Sequence, residues 1–114
     1  VLGYGHTTDA YHVLRPVENG LGVFRAAKLA LLEAGITPDQ IDHINSHATS
    51  TPLGDASEVL GLRSLLGNEQ LYNHDSLRDS IDKECVEVQE GLNEDVLSKI
   101  SLFAPKGNIG HTFC

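Results

Sequence analysis

Apolar residues between positions 21 and 34 recur at helical spacing, and Arg25 and Lys28 mark a polar stripe opposite to them. Gly35 follows as a natural C-terminal stop. The expected apolar face consists of Val23, Ala27, Ala30, Leu31 and Ala34. This pattern predicts a helix that packs closely through small side chains.

A second helix is expected to begin near Pro52 or Asp55, because Asp55 and Glu58 have the spacing of a capping box. Its predicted buried face is Val59, Leu62, Leu65 and Leu66. Gly67 is expected to end it. Between the two helices, Thr37 and Gln40 flank Pro38 and predict no more than one helical turn.

Short apolar stretches predict three strands. They are the end of a strand at 2–5, a short strand at 41–46 and another at 100–104. A further helix is expected within 77–92, from Leu77, Ile81, Cys85, Val88 and Leu92. Strands alternating with helices are typical of an α/β layer.

Composition and charge narrow the function classes. The chain has 114 residues, 40% hydrophobic and 21% charged, with a formal net charge of −8. An acidic chain is a poor partner for nucleic acid or anionic membranes, and no apolar run approaches the roughly 20 residues of a membrane span. Cys85 and Cys114 show no CxxC spacing, which favours a reducing compartment.

The acidity is concentrated in one segment. Nine acidic and only three basic residues lie between 69 and 100. The sequence therefore predicts an acidic insertion at about 68–99 in an otherwise nearly neutral chain. A surface insertion is the simplest interpretation; a partner-binding segment and a wrongly predicted exon are the alternatives.

Two common cofactor motifs are not predicted to act here. Gly20-Leu21-Gly22 lacks the third glycine of a dinucleotide fingerprint and is interpreted as the turn before a helix. His43 and His47 would lie about 13 Å apart on a strand, which is too far to share a zinc ion. No metal site is expected, and four histidines are interpreted as structural or solvent-facing: His6, His12, His43 and His74.

Two segments, 45–55 and 106–111, each place a histidine after a predicted strand, in a turn rich in Gly or Thr. In open α/β sheets, ligands bind at the carboxyl ends of strands. The Thr-Ser-Thr run at 49–51 offers hydroxyl donors and acceptors that suit amide groups. The alternative is two surface turns in which Ser and Thr only cap helices.

The chain resembles the elongating beta-ketoacyl-acyl carrier protein synthases. NSHATSTPLGD at 45–55 is similar to that family's NAHxTSTPxGD motif, and KGNIGH at 106–111 to its KxxxGH motif. GHTTDAYH at 5–12 resembles a third family segment. The resemblance covers 1–67 and 100–112. It implies a thiolase-like α/β fold with a mixed sheet and packed helices. Residues 1–114 would then form one partial domain, an incomplete C-terminal half of that fold.

The resemblance also implies an activity. The family condenses malonyl-acyl carrier protein with an acyl-enzyme thioester, with loss of carbon dioxide, in fatty acid synthesis. It implies catalytic roles for His47, His111 and Lys106, phosphopantetheine-binding roles for Thr49 and Thr51, and a supporting role for Asn45. No cofactor is implied beyond the phosphopantetheine of acyl carrier protein, the expected partner.

The chain also departs from the family pattern. Neither Cys85 nor Cys114 lies in the context of the family's nucleophile, and Phe103-Ala104-Pro105 replaces the usual Ser-Ser-Thr before Lys106. We therefore expect a fragment that is inactive alone. The resemblance implies a parent homodimer, and NSHATSTPLGDASE at 45–58 is most similar to organellar members, which favours the mitochondrial matrix over the alternative, the cytoplasm. A polyketide synthase ketosynthase domain and an inert truncated product or binding module are the alternatives.

Overall fold

A computed structural model of the chain describes residues 1–67 and the backbone of residues 101–103. The elements, in order, are helix α1 (Leu21–Ala34), a 3₁₀ turn (Pro38–Gln40), strand β1 (His43–Asn45), helix α2 (Pro52–Leu66) and strand β2 (Ser101–Phe103). β1 and β2 pair in parallel, with Ile44 opposite Leu102. A parallel pair requires a crossover, and α2 lies within it. The described residues thus confirm an α/β arrangement.

Helix α1 has the predicted bounds because glycines stand at both ends. Gly20 and Gly35 both adopt left-handed backbone angles, with φ of 73° and 69°. At the C-terminus, the N–H groups of Gly35 and Ile36 donate to the carbonyls of Leu32 and Leu31. This Schellman arrangement satisfies carbonyls that the helix leaves unpaired.

The predicted polar stripe on α1 is wrong at Lys28. Arg25 is exposed, but Lys28 is only 3% exposed and its ammonium lies 5.1 Å from the centroid of the Phe24 ring. Of the predicted apolar face, Leu31 is buried and Val23, Ala27, Ala30 and Ala34 are half-buried. Periodicity failed here because α1 has neighbours on more than one side.

One of those neighbours is the N-terminal segment, where the predicted end of a strand at 2–5 does not form. A Cβ on Gly3 would lie 2.2 Å from the carbonyl oxygen of Ala30, and one on Gly5 would lie 1.9 Å from that of Ala26. The Tyr4 N–H donates to the carboxylate of Glu33. The segment therefore packs directly on the α1 backbone, and its backbone pairs with no described strand.

Helix α2 begins at Pro52, as predicted, but its cap is Thr51, whose hydroxyl accepts the Gly54 N–H at 3.3 Å. The predicted capping box at Asp55 and Glu58 is wrong. The buried residues are Ser57, Gly61, Leu65 and Leu66, whereas Leu62 is half-buried. Val59, predicted to be buried, is 47% exposed, because it lies about 200° around the helix from Ser57.

The remaining predictions of secondary structure are confirmed for the described residues. Gln40 accepts the Thr37 N–H at 2.9 Å and closes the single turn. Strand β1 lies within the predicted 41–46, and Gly67 ends α2. A core of Phe24, Leu31 and Leu65 joins α1 to α2, with Ile41 packed against it. Strand β2 falls within the predicted 100–104.

The two helices meet backbone to backbone. A Cβ on Gly20 would lie 2.2 Å from the Ser57 carbonyl oxygen, and one on Gly61 would lie 2.5 Å from the Gly20 carbonyl oxygen. The buried Ser57 hydroxyl donates to the Val17 carbonyl at 2.7 Å and joins the segment before α1 to α2. Gly20 directly precedes α1, as the interpretation of a helix entry predicts, and Leu21 and Gly22 are the first two residues of the helix.

Gly20→Ala is expected to lower the free energy of unfolding by about 3–5 kcal/mol, because it adds a methyl group to this contact and strains a left-handed residue. Gly35→Ala is the matched control: its φ is also positive, but nothing lies within 4 Å of the added Cβ. Its cost should be only the backbone term of about 1–2 kcal/mol. Urea denaturation followed by circular dichroism measures both. Equal losses would show that the helix contact is not tight.

Candidate active site

The turn between β1 and α2 carries His47, the first of the two histidines with a predicted catalytic role. Its backbone adopts unfavourable angles. Ala48 and Ser50 have positive φ angles of 37° and 63°. Non-glycine residues in the left-handed region each cost on the order of 1–3 kcal/mol and persist only where surrounding contacts hold them. The contacts that hold this turn come from α2.

Two carboxylates of α2 bind the backbone of the turn. Glu58 accepts the N–H of His47 on one oxygen and that of Ala48 on the other, both at 2.7 Å. Asp55 accepts the Ser50 N–H at 3.2 Å. Hydrogen bonds to an ionised acceptor are about twice as strong as neutral ones, so these bonds offset the strain of the turn. Glu58 thus fixes the backbone of His47, which lies two residues after the end of β1.

The two threonine hydroxyls of the turn lie together. Thr49 Oγ1 and Thr51 Oγ1 are 2.8 Å apart and share a hydrogen bond. A Cβ on Gly54 would lie 2.6 Å from Thr51 Oγ1 and 2.9 Å from Thr49 Oγ1. A glycine at position 54 therefore leaves the room that the hydroxyl pair needs.

These groups face a cavity of about 340 Å³. One wall is polar and consists of His47, Thr49, Thr51, Gly54, Ser57 and Glu58. The other wall is apolar and consists of Leu14, Pro16 and Val23. A cavity with one apolar wall and a few convergent polar groups is the usual form of a small-molecule site.

The apolar wall belongs to the segment that follows GHTTDAYH. His12 Nδ1 accepts the N–H groups of Leu14 and Arg15, at 3.0 and 3.2 Å. Asp9 accepts the Val17 N–H at 3.4 Å, and the Thr7 hydroxyl donates to the Gly22 carbonyl at 3.2 Å. This motif therefore closes a turn whose end lines the same cavity as His47.

The structure brings three of the predicted site residues together: His47, Thr49 and Thr51. Asn45 ends β1 opposite Phe103 and is exposed, outside the cavity lining. Lys106 and His111 lie outside the described residues, as does the predicted insertion at 68–99. Because β1 and β2 are parallel, their carboxyl ends meet at one edge, and both motifs follow that edge in sequence.

The sequence interpretation missed Glu58 as a site residue. It was interpreted as part of a capping box, whereas the structure directs its carboxylate to His47 and Ala48. One signal was available: Thr51 followed by Pro52 already supplies a cap and a first helical residue. A second cap at Asp55, four residues later, is redundant, so Asp55 and Glu58 are available to bind other groups.

Within residues 1–67 and 101–103, no group of three or more His, Cys, Asp or Glu side chains is arranged to hold a metal ion. His6, His12 and His43 are all exposed there, and His74 lies outside the described part. Neither α1 nor α2 is long and apolar enough to cross a membrane.

Comparison with known proteins supports the predicted family. Residues 1–81 match the family described as beta-ketoacyl synthase, C-terminal domain. The chain is 46% identical over 67 residues to 3-oxoacyl-[acyl-carrier-protein] synthase 2 of Vibrio cholerae, which is 59% of this chain and 16% of that protein.

Two further relatives are similar. The Synechocystis protein of the same name is 43% identical over 73 residues, 64% of this chain and 17% of the relative. The mitochondrial 3-oxoacyl-[acyl-carrier-protein] synthase of Arabidopsis thaliana is 46% identical over 65 residues, 57% of this chain and 14% of the relative. The alignments thus span only 14–17% of these relatives' lengths. The chain belongs to the beta-ketoacyl synthase family, and residues 1–81 correspond to its C-terminal domain.

Proposed function

We propose that this chain is part of a 3-oxoacyl-[acyl-carrier-protein] synthase, an acyltransferase of fatty acid synthesis, with a thiolase-like fold and one partial domain over residues 1–114. The observation that carries the proposal is the cavity lined by His47, Thr49 and Thr51, in a chain of this family. The relatives described above share that name, which favours this function over a polyketide ketosynthase.

In the proposed reaction, a malonyl thioester loses carbon dioxide, and the electron pair of the broken bond forms an enolate. The enolate carbon attacks an acyl thioester on a cysteine and displaces the thiolate. Negative charge develops on the malonyl thioester oxygen, so a donor aimed at that oxygen lowers the barrier. We assign this role to His47, whose backbone N–H is bonded to Glu58.

Lys106 and His111 are proposed to complete the site. They follow β2, whose last described residue, Phe103, lies opposite Asn45 at the end of β1. In a parallel pair, segments leaving both strands start from the same edge, which favours a shared site. Asn45 is proposed to support the site at that edge.

The nucleophile is proposed to come from outside this chain, since neither Cys85 nor Cys114 matches the family's nucleophile context. The chain by itself is then inactive in condensation. The site needs no cofactor of its own, because the phosphopantetheine arm belongs to acyl carrier protein. The acidic segment at about 68–99 is proposed to be a surface insertion.

Acyl carrier protein is the proposed partner, consistent with the names of the relatives. The parent protein is proposed to act as a homodimer. We favour the mitochondrial matrix, because one relative is named a mitochondrial enzyme, and keep the cytoplasm as the alternative.

Glu58→Gln is expected to loosen the turn that carries His47, since Gln offers one oxygen where two N–H groups now bind a carboxylate. Hydrogen bonds to charged groups contribute about 1.5–3 kcal/mol, so stability should fall by roughly that amount. The amides of His47 and Ala48 should exchange faster by NMR. Glu18→Gln, at an exposed carboxylate, is the control and should change neither. Unchanged exchange in Glu58→Gln would contradict this role.

Removing both hydroxyls, with Thr49→Ala plus Thr51→Ala, should weaken binding of phosphopantetheinylated acyl carrier protein by about tenfold or more. The double Ser variant keeps both hydroxyls and the helix cap and should bind as the wild type does. Carrier protein without its phosphopantetheine arm separates arm binding from protein binding. Calorimetry measures all six combinations of the three chains with the two forms of carrier protein. No detectable binding by the wild type, or equal binding by both variants, would refute the proposed subsite.

A further inference from the structure

A histidine ring closes the turn that forms the apolar wall of the cavity. The N–H groups of Leu14 and Arg15 converge on His12 Nδ1, at 3.0 and 3.2 Å. An imidazole nitrogen accepts a hydrogen bond only when it carries no proton. The contact therefore requires the neutral tautomer with its hydrogen on Nε2.

Burial does not hold this turn in place. Leu14 is 85% exposed although it lines the cavity, and Arg15 is exposed as well. The next fixed point along the chain is Val17, whose carbonyl accepts the Ser57 hydroxyl at 2.7 Å. Between His12 and Val17, two hydrogen bonds among the described residues close the turn, and the His12 ring accepts both of them.

The segment that follows His12 carries most of the apolar lining of the cavity. Leu14 and Pro16 line the same cavity as Thr49 and Thr51. A thin arm of alternating amide and methylene groups suits such a lining, because its methylene groups contact the apolar residues and its amide groups bond to the hydroxyl pair.

We infer that His12 is a positioning residue for the site: its Nδ1 holds the turn that presents Leu14 and Pro16 to the cavity in which a phosphopantetheine arm would lie. The inference rests on the proposed function. The side chain acts through the backbone of the turn and touches no reacting atom.

The test compares two substitutions in the complete 114-residue chain. His12→Asn retains an acceptor, since Asn Oδ1 is attached to Cγ as Nδ1 is. His12→Leu has a similar bulk and no acceptor. Amide exchange of Leu14 and Arg15, measured by NMR, reports on the turn. Titration with 4′-phosphopantetheine reports on the site. The helix content measured by circular dichroism confirms that each variant folds.

The expected result is that the Asn variant resembles the wild type, while the Leu variant exchanges both amides quickly and binds about tenfold more weakly. Slow exchange or unchanged affinity in the Leu variant would overturn the inference, as would equal impairment of both variants. If the wild type does not bind the arm, the proposed function has failed. In that case the exchange data still test His12. Faster exchange of Leu14 and Arg15 in the Leu variant only would support the hydrogen bonds by which His12 holds the turn, and equal exchange in all three proteins would overturn the inference.

Discussion

The contact between Gly20 and Gly61 is the constraint on which the rest of the structure depends. With no side chain on either residue, α1 and α2 approach until backbone atoms touch. That approach places Ser57 against the Val17 carbonyl, and so brings the segment before α1 to the start of α2. The cavity is lined by residues of α1 and the segment before it, and by residues of α2 and the turn before it, so both sides of the contact contribute to it.

Both walls are held in the same way, by side-chain acceptors that bind backbone N–H groups. Glu58 holds the turn after β1, and His12 holds the turn before α1. Turns of this kind lack the ladder of hydrogen bonds that a strand or helix provides, so their N–H groups need other partners. Ala48 and Ser50 have left-handed backbone angles, and the hydrogen bonds to Glu58 and Asp55 offset the strain of those angles. A carboxylate that resembles a helix cap in sequence serves here to orient a candidate catalytic residue.

Sequence reasoning succeeded where the determinant was local. Gly35 ends α1 through its own backbone freedom, and Pro52 begins α2 because it tolerates the first helical position. It failed where neighbours distant in sequence decide burial. Lys28 is buried on what looked like a polar stripe, and Val59 is exposed on what looked like a buried face. Both errors arise because helical periodicity gives the faces of a helix but does not say which neighbours cover them.

The sequence by itself determined the helices with their glycine and proline boundaries and placed short strands within 41–46 and 100–104. Through the NSHATSTPLGD segment it also indicated the family and identified His47, Thr49 and Thr51 as candidate site residues. Only the tertiary structure decided the parallel register of β1 with β2 and the path of residues 1–5 along α1. It also decided the use of Glu58 and His12 as acceptors. These features depend on distances between atoms that are far apart in the chain, and periodicity and spacing along a sequence carry no information about such distances.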